Sequence, residues 1–228
     1  MREMTYNLKL AFSDPIIIMD SETGGLVPKE TIRWKRRPDF QVGQRVFGEV
    51  TSLGTPPLEL AAIRLDPSTM EEEKFFHTYV GPNEGESIDT YFSQCHPQAF
   101  TVNKLDKKRD EIAAAPPLSK AIQDFLYWLP PIRKLIIGGQ NVQFDISFIN
   151  AALELLRKDE RFIGQPLELQ DFSRLYFALP ETPIVSNLKL ETVCQALGID
   201  TSEAHTALAD CRMTAEVMKI IFERFCSR

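Results

Sequence analysis

Apolar positions along the chain recur with two periods. Pro15–Asp20 reads P-I-I-I-M-D, the continuous β-branched run of a strand covered on both faces. A second strand is predicted over Leu58–Leu65, after the break at Pro56–Pro57, and a third over Lys74–Val80, ended by the turn signal Gly81–Pro82. Ser119–Leu129 has helical spacing and stops at Pro130–Pro131. Lys134–Ile137 is a short apolar strand that Gly138–Gly139 should end. A helix is predicted from about Val142 to Leu156, because Phe144, Phe148, Ala151, Ala152 and Leu155 recur at helical spacing. Shorter helices follow at Asp171–Ala178 and at Asn187–Leu197, the latter closed by Gly198. The last helix spans about Thr206–Arg224, with an apolar stripe that includes Leu208, Cys211, Ala215, Met218 and Phe222. Three early strands, one later strand and then helices predict an α/β fold, a mixed sheet with helices packed on it.

Residues 27–57 interrupt this pattern. Periodicity is weak there, and Lys29, Arg33, Lys35, Arg36, Arg37 and Arg45 stand against Glu30, Asp39 and Glu49, a local net of +3. Trp34 and Phe40 are interleaved with the basic residues. The segment reads as a basic insertion, a loop or hairpin beside the first strand, within one domain that spans 1–228. Loops this long without structure of their own are often functional. The mixture suits stacking and steering of a single nucleic-acid strand, a protein contact, or a plain solvated loop. A second basic cluster, Lys104, Lys107, Lys108 and Arg109, is followed by Asp110 and Glu111 and reads as a solvated face.

Composition narrows the class. The chain has 228 residues, 43% of them hydrophobic and 25% charged, ordinary for a globular protein with a sizeable core. Met1–Ser13 lacks the apolar run of a secretory signal, and Pro15–Met19 is too short to cross a bilayer; an intracellular, cytoplasmic protein with no membrane contact is expected. Cys95, Cys194, Cys211 and Cys226 form no C-x-x-C pair, so reduced and mostly buried thiols are expected. The net charge of −6 disfavours coating of nucleic acid by bulk electrostatics. It leaves a nuclease open, since clustered acids attract phosphate once divalent cations bind.

Three constellations carry candidate chemistry. In Asp20-Ser21-Glu22-Thr23-Gly24 the two carboxylates lie two apart at a strand end, on one face, where they repel unless a cation or proton lies between them. The alternative is a solvated turn. In Asn141-Val142-Gln143-Phe144-Asp145 the step from Asn141 to Asp145 puts both on one face near a helix start. There Asn141 could equally be an N-cap and Asp145 a favourable first-turn charge. In His205-Thr206-Ala207-Leu208-Ala209-Asp210 the histidine would sit just before a helix and Asp210 inside it, on the inward side. A buried carboxylate needs a partner; the alternative for His205 is a lone loop histidine. His77 and His96 have no acidic neighbour at motif spacing and read as structural.

Together the motifs D-x-E-x-T-G, N-x-x-x-D and H-x-A-x-x-D, in this order, resemble the DEDDh exonuclease family, the group of polymerase proofreading subunits, ribonuclease T and oligoribonuclease. The likeness runs from about Pro15 to Phe222, and Asn187–Ile199 is similar to the family's helix before the third motif. The resemblance implies a ribonuclease-H-like fold and a 3′→5′ exonuclease that releases 5′-nucleoside monophosphates from single-stranded DNA or short RNA. It implies that Asp20, Glu22 and Asp210 hold one metal ion, that Asp20 bridges to a second, and that Asp145 completes the site largely through water. His205 would be the general base. Thr23, Gly24 and Leu26 would meet the terminal nucleotide, Leu26 as an apolar wedge, and Asn141 and Phe144 would support the site. Hard oxygen ligands suit two Mg²⁺ ions, with Mn²⁺ as substitute. Such ions, roughly 3.5–4 Å apart, can stabilise the attacking and leaving oxygens of an in-line displacement, and histidine, titrating near neutrality, suits the base. Gln140 stands where relatives often have histidine, with little expected effect. The alternatives are a proofreading subunit that binds a polymerase, with the basic insertion as a candidate contact, and a catalytically silent nucleic-acid-binding module on the same fold. DNA against RNA, substrate length, oligomeric state and the job of Thr31–Phe47 stay open.

Overall fold

The computed structural model describes residues 14–26, 30–31, 50–52, 54–131, 135–156, 162 and 164–226. Strand β1 (Ile16–Thr23) is followed by the short strands β2 (Glu30–Thr31) and β3 (Val50–Ser52), then by β4 (Pro57–Leu65) and β5 (Glu72–Tyr79). Three short helices come next, α1 (Ile88–Ser93), α2 (Pro97–Asn103) and α3 (Arg109–Ala113), with a 3₁₀ turn at Leu105–Lys108. The rest is α4 (Leu118–Trp128), β6 (Leu135–Gly139), α5 (Val142–Leu155), β7 (Gly164–Glu168), α6 (Leu169–Phe177), α7 (Leu190–Leu197) and α8 (Ala207–Cys226).

The main sheet has the order β5-β4-β1-β6-β7. β1 pairs antiparallel with β4 and parallel with β6, and β7 extends the parallel side. The sheet is therefore mixed, as the sequence predicts. β1 lies at its centre because its run of isoleucines has no polar face. Ile16 and Ile18 pack against Val193 of α7 and Cys211, Met218 and Ile221 of α8. Ile17 and Met19 pack against Ile122 and Phe125 of α4 and Val142 and Ile146 of α5. Each face of the sheet is thus covered by helices. A third cluster, Leu58, Tyr91, Cys95, Leu105 and Ile112, fastens the short helices to the start of β4, where the Tyr91 hydroxyl donates to the Pro57 carbonyl at 2.8 Å.

Several expectations are corrected. Gly138 and Gly139 do not follow β6 but are its last two residues, paired with Leu167 and Glu168 of β7. Gly138 carries no side chain because a Cβ there would lie 2.5 Å from Ile18 Cδ1 and 3.2 Å from Met218 Cε. Strand β7 was invisible to periodicity; it is a partly exposed edge strand, where Pro166 is tolerated. Helices α1 to α3 are five to seven residues long, too short to establish a period. Asn187–Lys189 precede α7 rather than belong to it. In the insertion, β2 and β3 pair antiparallel; the basic and aromatic residues named there, Lys29, Arg33, Trp34, Lys35, Arg36, Arg37, Phe40 and Arg45, lie outside the described residues. Cys95, Cys194 and Cys211 are free and buried. Among the described residues no helix is long and apolar enough to cross a membrane.

Gly81, just after β5, gives a mechanical test. A Cβ there would meet the Ala115 and Ile112 carbonyl oxygens at 2.5 and 2.6 Å, and these are backbone atoms that cannot rotate away. Gly81→Ala is expected to lower stability by about 1–3 kcal/mol in urea unfolding, whereas an unchanged midpoint would show that the α3–α4 connection yields.

Candidate active site

The site is assembled where β1 ends. Asp20 and Glu22 are spaced by two, so they share one face of the strand, and their cross-strand partners on β4 are Ala61 and Glu59. Helix α8 lies across that face, held by packing and by the Cys211 thiol, which donates to the Ala61 carbonyl at 3.6 Å. Asp210, in the first turn of α8, is thereby carried to β1. One carboxylate oxygen from each of Asp20, Glu22 and Asp210 can be chosen so that all lie within 4.8 Å of one another.

Asp145 approaches through a neighbour. It is 3% exposed, and Ser21 Oγ donates to its Oδ1 at 2.6 Å. Asp145 stands in the first turn of α5. The N-terminus of that helix is not capped by the Asn141 side chain: Asn141 has φ 59°, left-handed, and makes no side-chain cap. Instead the Glu168 carboxylate, at the end of β7, accepts the Asn141 and Val142 amides at 2.5 and 3.0 Å. Asparagine tolerates the left-handed region better than most residues, which accounts for its place at this corner. His205 precedes α8, also with positive φ, 72°, and its backbone N–H donates to Asp210 Oδ1 at 3.2 Å.

These carboxylates are crowded, with Asp145 buried and Asp20, Glu22 and Asp210 half-buried. Burial, reinforced by Asp145, Asp210, Glu22 and Glu59, holds Asp20 well above the usual carboxylate range. Burial first, then Asp210 and Glu59, pushes Glu22 up to about 8, against a lowering hydrogen bond from Asn103. Asp145 is raised by burial to about 7, partly offset by the Ser21 hydroxyl. Asp210 is raised by burial to about 6, with the His205 N–H pulling the other way. Such a set favours either protons or a cation in its midst. All-oxygen, anionic donors fit a hard divalent ion, so the residues present suit the metal that the resemblance implies.

Beside the carboxylates a cleft of about 510 Å³ opens, lined by Glu22, Thr23, Leu26, His96, Val102 and Phe144 among others. Leu26 is 84% exposed, an apolar side chain offered to the cleft. Gly24 and Asn141 are not in the lining. Gly24 is instead clamped between strands and helices, its N–H donating to the Pro56 carbonyl and its own carbonyl accepting from the His96 amide. Four residues were missed by sequence reading: Ser21, Glu59, Asn103 and Glu168. Asn103, 5% exposed, hydrogen-bonds the Glu22 carboxylate and donates to the Thr23 carbonyl at 3.3 Å. Ser21 lies inside a recognised motif and alternation would have turned it to the opposite face; nothing in the spacing signals the others.

Residues 17–218 match a family model, RNase_T, described as Exonuclease. The DNA polymerase III subunit epsilon of Rickettsia felis is 28% identical over 205 residues, 88% of this chain and 71% of that protein. The DNA polymerase III PolC-type of Bacillus subtilis is 28% identical over 138 residues, 59% of this chain but only 9% of that much longer protein. A crystal structure of E. coli exonuclease I in complex with a dA16 oligonucleotide superposes with a TM-score of 0.65 at 20% identity, covering 92% of this chain and 41% of that one.

The raised carboxylates set a pH dependence. Their folded values exceed the unfolded ones, so the metal-free fold carries no penalty below about pH 4 and loses stability as pH rises through 6, 7 and 8. In EDTA the melting temperature is expected to fall from pH 5 to pH 8, and to fall less in Asp20→Asn. Equal slopes for the two proteins would refute this electrostatic account.

Proposed function

The chain belongs to the exonuclease family, and from that premise we propose that it is a divalent-metal-dependent 3′→5′ exonuclease of the DEDDh kind. Its substrate would be single-stranded DNA or short RNA, and its product 5′-nucleoside monophosphates. The observation that carries the reading is the convergence of Asp20, Glu22 and Asp210 at the edge of a cleft that presents Leu26 and Phe144.

Asp20, Glu22 and Asp210 would hold the cation, with Asp145 as the further anionic wall. When bound, Mg²⁺, for which Mn²⁺ can substitute, supplies Lewis-acid stabilisation of charge developing on the phosphodiester. The chain's own residues do the rest. Leu26 and Phe144 offer apolar surface to the terminal nucleotide, and Thr23, whose hydroxyl bonds the Gly25 carbonyl at 2.6 Å, fixes the turn that presents Leu26. His205 takes a proton from the attacking water, whose oxygen bonds to phosphorus as the P–O3′ bond breaks. One nucleotide leaves as a 5′-monophosphate, the departing O3′ takes up a proton from solvent to become the new 3′ hydroxyl, and His205 returns its proton to solvent. The backbone bond from His205 to Asp210 ties the base to the carboxylate cluster.

A second reading, a proofreading subunit that acts with a polymerase, is favoured by the likeness to the epsilon subunit. A pulldown separates the two, since only that reading requires a stable polymerase complex. A cytoplasmic location belongs to both. A silent binding module would have no use for all five of Asp20, Glu22, Asp145, His205 and Asp210.

The test is degradation of 5′-labelled single-stranded DNA and RNA oligomers with Mg²⁺ or EDTA. A metal-dependent ladder shortening from the 3′ end is expected, abolished in Asp20→Ala and Asp210→Ala with little loss of fold. His205→Ala should slow turnover about 10²–10⁴-fold with metal binding intact. Full activity in either aspartate variant would refute the site, and loss of metal binding in the histidine variant would make His205 a ligand.

A further inference from the structure

Glu59 is a carboxylate that the reaction scheme leaves without a role. It is 1% exposed, and it stands directly opposite Glu22 across the β1–β4 pair, hence on the same face of the sheet. One of its oxygens, Oε1, is bonded to His77 Nε2 at 2.7 Å. The other, Oε2, is buried and accepts no hydrogen bond among the described residues. His77, on β5, has a side chain 30% exposed and an edge-to-face contact with Tyr79 at 5.3 Å. The pair therefore runs from solvent, through a histidine, to a buried carboxylate beside the acidic cluster.

Two facts need a common cause. Like charges directly opposite on neighbouring strands destabilise a sheet, and Glu22 faces Glu59. A buried acceptor without a partner is costly, and Oε2 is such an atom. A purely structural glutamate here would be disfavoured on both counts, while an apolar side chain would pack freely beside Ala61 and Ile63. Glu59 lies outside the set of oxygens that converge within 4.8 Å, yet its charge acts on Asp20, Glu22 and Asp210. Both facts are accounted for when a hydrated cation sits among the three ligands and its water donates to Oε2.

We propose that Glu59, oriented by His77, is a positioning residue for the metal centre, accepting a hydrogen bond from the ion's hydration shell. This rests on the assignment of Asp20, Glu22 and Asp210 as ligands. Outer carboxylates of this kind typically govern metal affinity about 10–100-fold. His77 fixes which oxygen faces inward, as the ring nitrogen that holds Oε1 leaves Oε2 alone free to turn to the ion.

The experiment is calorimetric titration of Mn²⁺ into the full chain without nucleic acid, with metal-free melting temperatures measured in parallel. Glu59→Gln is expected to weaken binding about 10–100-fold. His77→Ala, which keeps the charge and removes the orienting bond, should weaken it in the same direction, and His77→Gln, which can present its amide nitrogen where Nε2 stood, should restore it. Wild-type affinity in both Glu59→Gln and His77→Ala, with altered melting alone, would overturn the proposal, and so would weakening confined to Glu59→Gln, which would leave only a distant charge. Asp210→Ala distinguishes the levels: if wild type binds Mn²⁺ and Asp210→Ala binds equally well, the ligand assignment itself falls and the role of Glu59 with it.

Discussion

Everything at this site depends on packing several carboxylates into a space where they cannot all be ionised without a counter-charge. Asp20 and Glu22 on β1, Asp210 on α8 and Asp145 on α5 act on one another's charge in one partly buried neighbourhood, and each is lifted chiefly by desolvation. Such a cluster opposes folding of the metal-free chain. It is tolerated because the surrounding framework is over-determined: a central strand with no exposed isoleucine, and helices on both faces that cannot shift without opening the core.

The framework does more than confine the charges. Three of the acids are held by neighbours: Asp145 by Ser21 of β1 and Glu22 by Asn103 of α2, both from other elements, and Asp210 by the amide of His205, just ahead of its own helix. The corner before α5 is tied by Glu168 at the end of β7. The parallel half of the sheet positions Asp145 and the antiparallel half brings Glu59 opposite Glu22, so the mixed topology places acids on both sides of one strand end. Preorganisation of this sort keeps the carboxylates from collapsing onto other donors.

The sequence by itself determined the central strand, the flanking strands β4 and β5, the helices from α4 onward and the order of the three motifs, because each is written in short-range periodicity or spacing that chemistry requires. Asp20 and Glu22 could be put on one face from their spacing alone, and His205 just ahead of a helix that carries Asp210. Tertiary structure decided the rest. Gly138 and Gly139 continue a strand by pairing with β7, and a side chain is excluded by Ile18 and Met218 at Gly138 and by the Met19 carbonyl and Val142 at Gly139. Asn141 is a left-handed corner whose amide is capped from 27 residues away, and Glu59 meets His77 across strands. Sequence periodicity records only what a residue does relative to its near neighbours, whereas these roles are set by contacts between elements that the chain brings together only when it folds.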